Sequence, residues 1–270
     1  MAMPKHARQM ILSNGNSVAK PRSNALLIAL VIIAFSYVSV KVTGFSFAVL
    51  AKRGHQFWYL LAQMFPFNTK YLPNIWTPLF DTIKMSLLGC SIGAVLAIPF
   101  AMLASNNLVS SKIVISAVRV MFSILRTLPT LVTALIATYI WGLGTLAGTI
   151  AIFVFSFSYL GKLLYEEIET VDMGPYEAMQ SMGLSWGACF RYAILPQILP
   201  FYISNSLYCF EGNVRYAAIL GYVGAGGLGL ILSEKISYME WDKVGMILLM
   251  LFFTVAIIES TSHYIRSKIT

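Results

Sequence analysis

Uninterrupted apolar runs constrain this chain more than any other feature. ALLIALVIIAFSYVSV (25–40) and ILLMLFFTVAII (247–258) contain no charged residue, and four further stretches are nearly as apolar. Such runs read as helices crossing a bilayer. About 20 apolar residues match the hydrocarbon thickness, and a helix satisfies its own backbone amides where no water is available. Charged residues make up only 11% of the chain, against about 25% in an average soluble domain. A chain of 270 residues this poor in charge cannot cover itself with polar surface. The reading is an all-α integral membrane protein with about six transmembrane helices. The net charge of +8 then needs no nucleic acid to explain it. Lys and Arg at span ends are drawn to anionic lipid, and no nucleic-acid motif accompanies them.

The apolar pattern predicts spans at about residues 25–40, 79–104, 113–141, 145–165, 201–223 and 244–264. Residues 1–24 are polar and basic (Lys5, Arg8, Lys20, Arg22) and no small-x-small cleavage site follows. They read as a cytoplasmic tail before an uncleaved first span. Residues 25–78 hold that span and a long extracytoplasmic loop. The loop carries FWYLLAQMFPF, suited to lying in the lipid interface. Pro66, Pro73 and Pro78 are expected to break helicity before the second span. Residues 266–270 read as a cytoplasmic tail. Six spans put both termini on one side. The positive-inside rule supports the cytoplasmic side only weakly, because the first span is flanked by four basic residues on each side.

Cys90, Cys189 and Cys209 are far apart and show no disulfide framework or metal spacing. Nor is there a nucleophile, base and acid arrangement, so no catalytic residue is assigned. Gly224, Gly226 and Gly229 match G-x-G-x-x-G. A dinucleotide site needs a preceding strand and an acidic residue about 20 positions on. Here a membrane helix precedes, and Glu234 and Glu240 are too close. The glycines therefore read as close backbone packing or a flexible break.

The main polar interruption is residues 166–197, which are acidic at their start and contain YEAMQSMGLSWGACFRYAILPQ. Glu177 and Ala178 open a short helix, Gly183 permits a turn, and a second short helix is expected to stop at Leu195-Pro196. A protruding helix with small residues suits insertion into a groove on a partner. An ordinary loop would read the same way from spacing alone.

Charge inside the spans is the other clue, since each such residue costs about 2.5–3.5 kcal/mol on insertion scales. Arg119 and Arg126 fall in the third span; Glu211, Asn213 and Arg215 fall in the fifth. A guanidinium can hold two oxygens of an anion in a planar fork. However, Glu211 and Arg215 are four apart on one helix face, which favours a structural pair over direct solute contact. Arg119 and Arg126 have no acidic residue within a helical turn, so their structural alternative is an interhelical pair or carbonyl contacts. Glu259 and His263, also four apart, read as a local pair.

Glu177, Ala178, Gly183, Leu195 and Pro196 resemble the ATPase-coupling motif of ABC-importer permeases, with Met179 and Ala193 as departures. LPQILP, LYCFEGNVRYAAILGYVGAGGLG, FPFNTKYLPNIW and RTLPTLVTAL are similar to the phosphonate-importer permease subfamily. The resemblance covers roughly residues 60–268. It implies a type I permease core of five helices at 79–265, with the first span extra, in the bacterial cytoplasmic membrane. It further implies a second permease subunit, expected to be an identical chain, two cytoplasmic ATPase subunits and an extracytoplasmic solute-binding protein. This chain has no G-x-x-x-x-G-K-[ST] phosphate loop. ATP and magnesium would be held by the partner ATPase, and no cofactor by this chain. The implied solute is a phosphonate or a related oxyanion, phosphate or phosphite. The alternatives are a permease for another small solute, such as an amino acid, or a stand-alone ion-coupled transporter. The latter would want repeats or a relay carboxylate in mid-span.

Overall fold

The computed structural model describes residues 9–11, 17–19 and 24–269. The basic residues expected to form the N-terminal tail lie outside the described residues. The chain divides into two compact units, Met1–Tyr59 and Leu60–Thr270.

In the first unit, β1 (Gln9–Ile11) pairs antiparallel with β2 (Ser17–Ala19), Met10 opposite Val18. From Ala25 on, every element is helical, as the all-α reading expects. The helix α1 (Ala25–Val42) buries none of its residues, as suits a span whose solvent is lipid. The segment expected to be a loop is largely helical: α2 runs Phe47–Met64. Its apolar residues recur at helical spacing, a period that the aromatic cluster alone did not reveal.

The second unit is built on α3 (Pro73–Ala104) and α6 (Thr145–Ile168). A stripe of small residues on α3, including Ser86, Gly89, Gly93, Ala97 and Ala101, is buried along its length. Small residues let two backbones approach closely where lipid supplies no hydrophobic drive for helix association. Phe122 fills the adjoining space against Gly161, Phe157 and Tyr165. The prolines do not all break helicity as expected. Pro73 opens α3, where its missing N–H would have had no helical partner, but the helix runs on through Pro78.

The third expected span is broken into α4 (Lys112–Thr127) and α5 (Thr130–Trp141), bent by 89°. Leu128 precedes a proline and is extended, with ψ 120°. After α6 come the short helices α7 (Gly174–Ser181) and α8 (Trp186–Cys189), then α9 (Leu195–Leu220). Unexpectedly, α10 (Leu228–Ser237) precedes the final helix α11 (Trp241–Ile269). The α9–α10 turn is the glycine run. Gly224, Gly226 and Gly227 have φ between +68° and +77°, and Leu228 N donates to Thr82 Oγ1 at 2.7 Å. Its role is therefore close packing, with no strand before it. Among the described residues, four helices are long and apolar enough to cross a membrane, or six if each bent pair is one span.

Candidate functional site

Two sites emerge, one on the α6–α9 connection and one on α9 itself. In the connection, Pro175 lies in the first turn of α7, and Asp172 Oδ1 accepts from Gly174 N at 2.9 Å. The far end of α7 closes on Gly183, whose φ is +82°. Gly183 N donates to Gln180 O at 3.0 Å and Leu184 N to Met179 O at 3.3 Å. This pair of bonds is the glycine-terminated helix stop, which needs a left-handed residue at its corner. Glu177, Ala178 and Gly183 are exposed, and no atom lies within 4 Å of a side chain at Gly183. Only Tyr176 of α7 is buried. The turn is thus fixed while its outward face stays uncovered.

The expected stop at Leu195-Pro196 is absent. A π turn, Phe190–Ile194, leads straight into α9, and Pro196 sits in the first turn of that helix. The wider turn accommodates the ring and the missing N–H.

The connection is anchored at both ends. Glu169, capping α6, pairs with Arg119 Nη2 of α4 and accepts from Asn106 N at 2.8 Å. Arg119 Nε also donates to Ala104 O at 2.9 Å, and its guanidinium lies 4.7 Å from the Tyr165 ring centre. Arg119 therefore has both the interhelical pair and the carbonyl contact that were its structural alternative. Gln197 exchanges hydrogen bonds with the backbone of Asp172, at 3.1 and 3.2 Å.

On α9, Asn213 faces inward at 1% exposure and donates to Ser156 Oγ at 2.8 Å, tying α9 to α6. Glu211 is 5% exposed. Its Oε1 accepts from Arg215 Nη2 at 2.7 Å, the helical pair expected from the spacing. Its Oε2 lies 3.9 Å from Nη1 of Arg266. Arg266 was assigned to a tail, yet it belongs to α11, is buried, and stacks 3.5 Å over the Tyr208 ring. No local signal in the sequence links positions 211 and 266; the contact exists because α11 outlasts its apolar run. The Arg215 side chain remains 55% exposed, and the residue lines an open cavity of about 350 Å³ with Gly212, Tyr216 and Ile219. Arg126 sits in the last turn of α4, exposed beside the break before α5, with no ion pair among the described residues. Glu259 and His263 are exposed and make no ion pair among the described residues, against expectation.

The sequence profile of the family described as binding-protein-dependent transport system inner membrane component matches residues 97–264. The phosphate-import permease protein PhnE of Mycolicibacterium smegmatis is 36% identical over 196 residues, which cover 73% of this chain and 37% of that one. This chain thus spans little more than a third of that relative's length. The phosphite transport system permease protein PtxC of Stutzerimonas stutzeri is 33% identical over 189 residues, covering 70% of this chain and 69% of that one. Among solved structures, a chain of the MetNI methionine ABC transporter in an inward-facing conformation superposes with a TM-score of 0.66 at 21% identity. It covers 75% of this chain and 99% of that one.

Proposed function

The chain belongs to the family of binding-protein-dependent transport system inner membrane components, and from that premise we propose that it is the permease subunit of an ATP-driven importer for phosphonate, phosphite or phosphate. The observation that carries the reading is the uncovered α7 turn with Glu177, Ala178 and Gly183 outward. Its outward face has the shape of a docking element, and we assign the partner ATPase to it. The anchors at Glu169 and Asp172 hold it to α4 and α9, so a push on α7 reaches the spans as a body. This chain contributes no hydrolytic group; ATP and magnesium belong to the partner ATPase. A second copy, two ATPase subunits and an extracytoplasmic binding protein complete the assembly, with both termini cytoplasmic.

The solute class rests on two relatives named for phosphorus oxyanions and on exposed guanidinium. Arg126 and Arg215 are the two exposed arginines within the expected spans, and each can fork two oxygens of such an anion. Arg119 and Asn213 act as structural ties. The test is reconstitution with the cognate ATPase and binding protein, followed by ATPase assay with phosphite, phosphate, methylphosphonate and methionine. Stimulation by phosphorus oxyanions alone is expected. Stimulation by methionine alone would return the chain to the amino-acid reading, and uptake without any ATPase would favour an ion-coupled transporter.

A further inference from the structure

An apolar crevice of about 180 Å³ opens between α9 and α11, lined by Leu207 and Phe210 on one side and by Ile258, Thr261, Ser262 and Ile265 on the other. Ser262 is 3% exposed, yet its Oγ has no hydrogen-bond partner among the described residues. The other Ser and Thr hydroxyls of α11 are satisfied within the helix. Thr254, Ser260, Thr261 and Ser267 each donate to a carbonyl three or four residues back, at 2.7–2.9 Å. The Ser262 hydroxyl is thus an orphan donor on an apolar wall, which is unfavourable until something supplies an acceptor.

The face that lines the crevice continues to the end of the helix. Lys268 follows Thr261 by seven residues, close to two turns, and so lies on the same side of α11. It is exposed and makes no ion pair among the described residues; its ammonium stands 4.6 Å from the Tyr264 ring centre. Glu259, the nearest acidic residue on α11, falls on another face. From the bilayer interior outward, the order is apolar crevice, hydroxyl donor, cation. A diacyl phospholipid has the matching order: acyl chain, ester carbonyl, phosphate. A cavity of about 150 Å³ holds a benzene molecule, so the crevice takes a segment of one chain and not a whole lipid. With the C-terminus cytoplasmic, as proposed above, Lys268 meets the leaflet whose surface is negative. We propose that the α9–α11 crevice is a binding site for an anionic phospholipid, with Ser262 donating to its ester carbonyl and Lys268 pairing with its phosphate headgroup. The assignment needs α11 to span the membrane and is independent of the solute.

The test is native mass spectrometry of the purified permease–ATPase complex in detergent, titrated with phosphatidylglycerol or phosphatidylcholine. Wild type should bind phosphatidylglycerol about fivefold more tightly, the worth of one lysine near an anionic surface. Lys268→Gln should remove that preference, and Lys268→Arg should keep it. Lys112→Gln, an exposed lysine at the start of α4 on the same side of the membrane, should leave it unchanged. Ser262→Leu fills the crevice and removes the donor, so tight binding of either lipid should be lost; Ile265→Phe fills it independently if Ser262→Leu does not assemble. No preference in wild type, or equal losses in Lys112→Gln and Lys268→Gln, would reduce the effect to general surface charge and overturn the proposal. Unchanged lipid binding by the filled variants would overturn it as well. If those variants instead lose the pairing of two permease chains, the crevice belongs to a second copy.

Discussion

Replacing Gly229 with alanine should destabilise the α9–α10 corner more than any helix-propensity gain can offset. A β-carbon at Gly229 would lie 2.2 Å from Ala218 O and 2.9 Å from Gly221 N. One at Gly221 would lie 1.9 Å from the Gly229 carbonyl carbon. Ordinary contact begins at 3.4 Å, so the shortfalls are 1.2 Å and 1.5 Å. The obstructing atoms are backbone, and no side chain can swing away. Overpacking of this kind costs about 1–3 kcal/mol and at times more, and the backbone obstruction argues for the upper end. At about 2–4 °C per kcal/mol for a domain of comparable size, the apparent Tm should fall by about 6–12 °C. Gly212 supplies the control, because it lies on the same α9 with nothing within 4 Å of an added β-carbon. There alanine should gain up to about 1 kcal/mol of helix propensity. Thermal unfolding of the detergent-solubilised protein, followed by tryptophan fluorescence, reads wild type and both variants. Equal Tm values for wild type, Gly229→Ala and Gly212→Ala would refute the close-approach argument.

Other expectations follow from single contacts. Gly183→Trp should abolish co-purification with the ATPase while the chain still inserts, whereas Gly183→Asn, which tolerates the left-handed corner, should keep it; retention of the ATPase by the tryptophan variant counts against the docking role. Arg119→Glu sets two carboxylates against each other and should destabilise by about 1.5–3 kcal/mol, with recovery when Glu169→Arg is added; a double variant no more stable than the single would show that the pair does not hold α4 to α6. Glu240, between α10 and α11, accepts from Lys243 and pairs with Lys235 at 2.7 and 3.2 Å, and these hold its carboxyl below its ordinary value of 4.5. A depressed folded value means stabilisation that is complete above pH 4.5 and lost as the carboxylate protonates below it. Glu240→Gln should therefore lower Tm at pH 7, with the difference closing under acid; a constant difference across that range would contradict the assignment.

What the sequence determined by itself was local in origin. Apolar runs set the helices and the membrane class, since hydrocarbon thickness is read by a single segment. Gly183 and the residues around it specified a helix stop through chemistry confined to residues 179–184. The i,i+4 spacing specified the Glu211–Arg215 pair, though the same spacing at Glu259 and His263 yields none, because both side chains are exposed and nothing forces them together. Tertiary structure decided the rest. Arg119 meets Glu169 across 50 positions and Asn213 meets Ser156 across 57, and neither distance leaves a periodic trace. The 89° bend after Thr127 turns a single apolar run into two helices, because Pro129 removes one amide and the neighbouring packing settles the angle. Arg266 passed for a tail because an apolar run ends where lipid ends, whereas a helix ends where its backbone bonds and its neighbours end. Its place over Tyr208 and beside Glu211 exists only once α9 and α11 have packed.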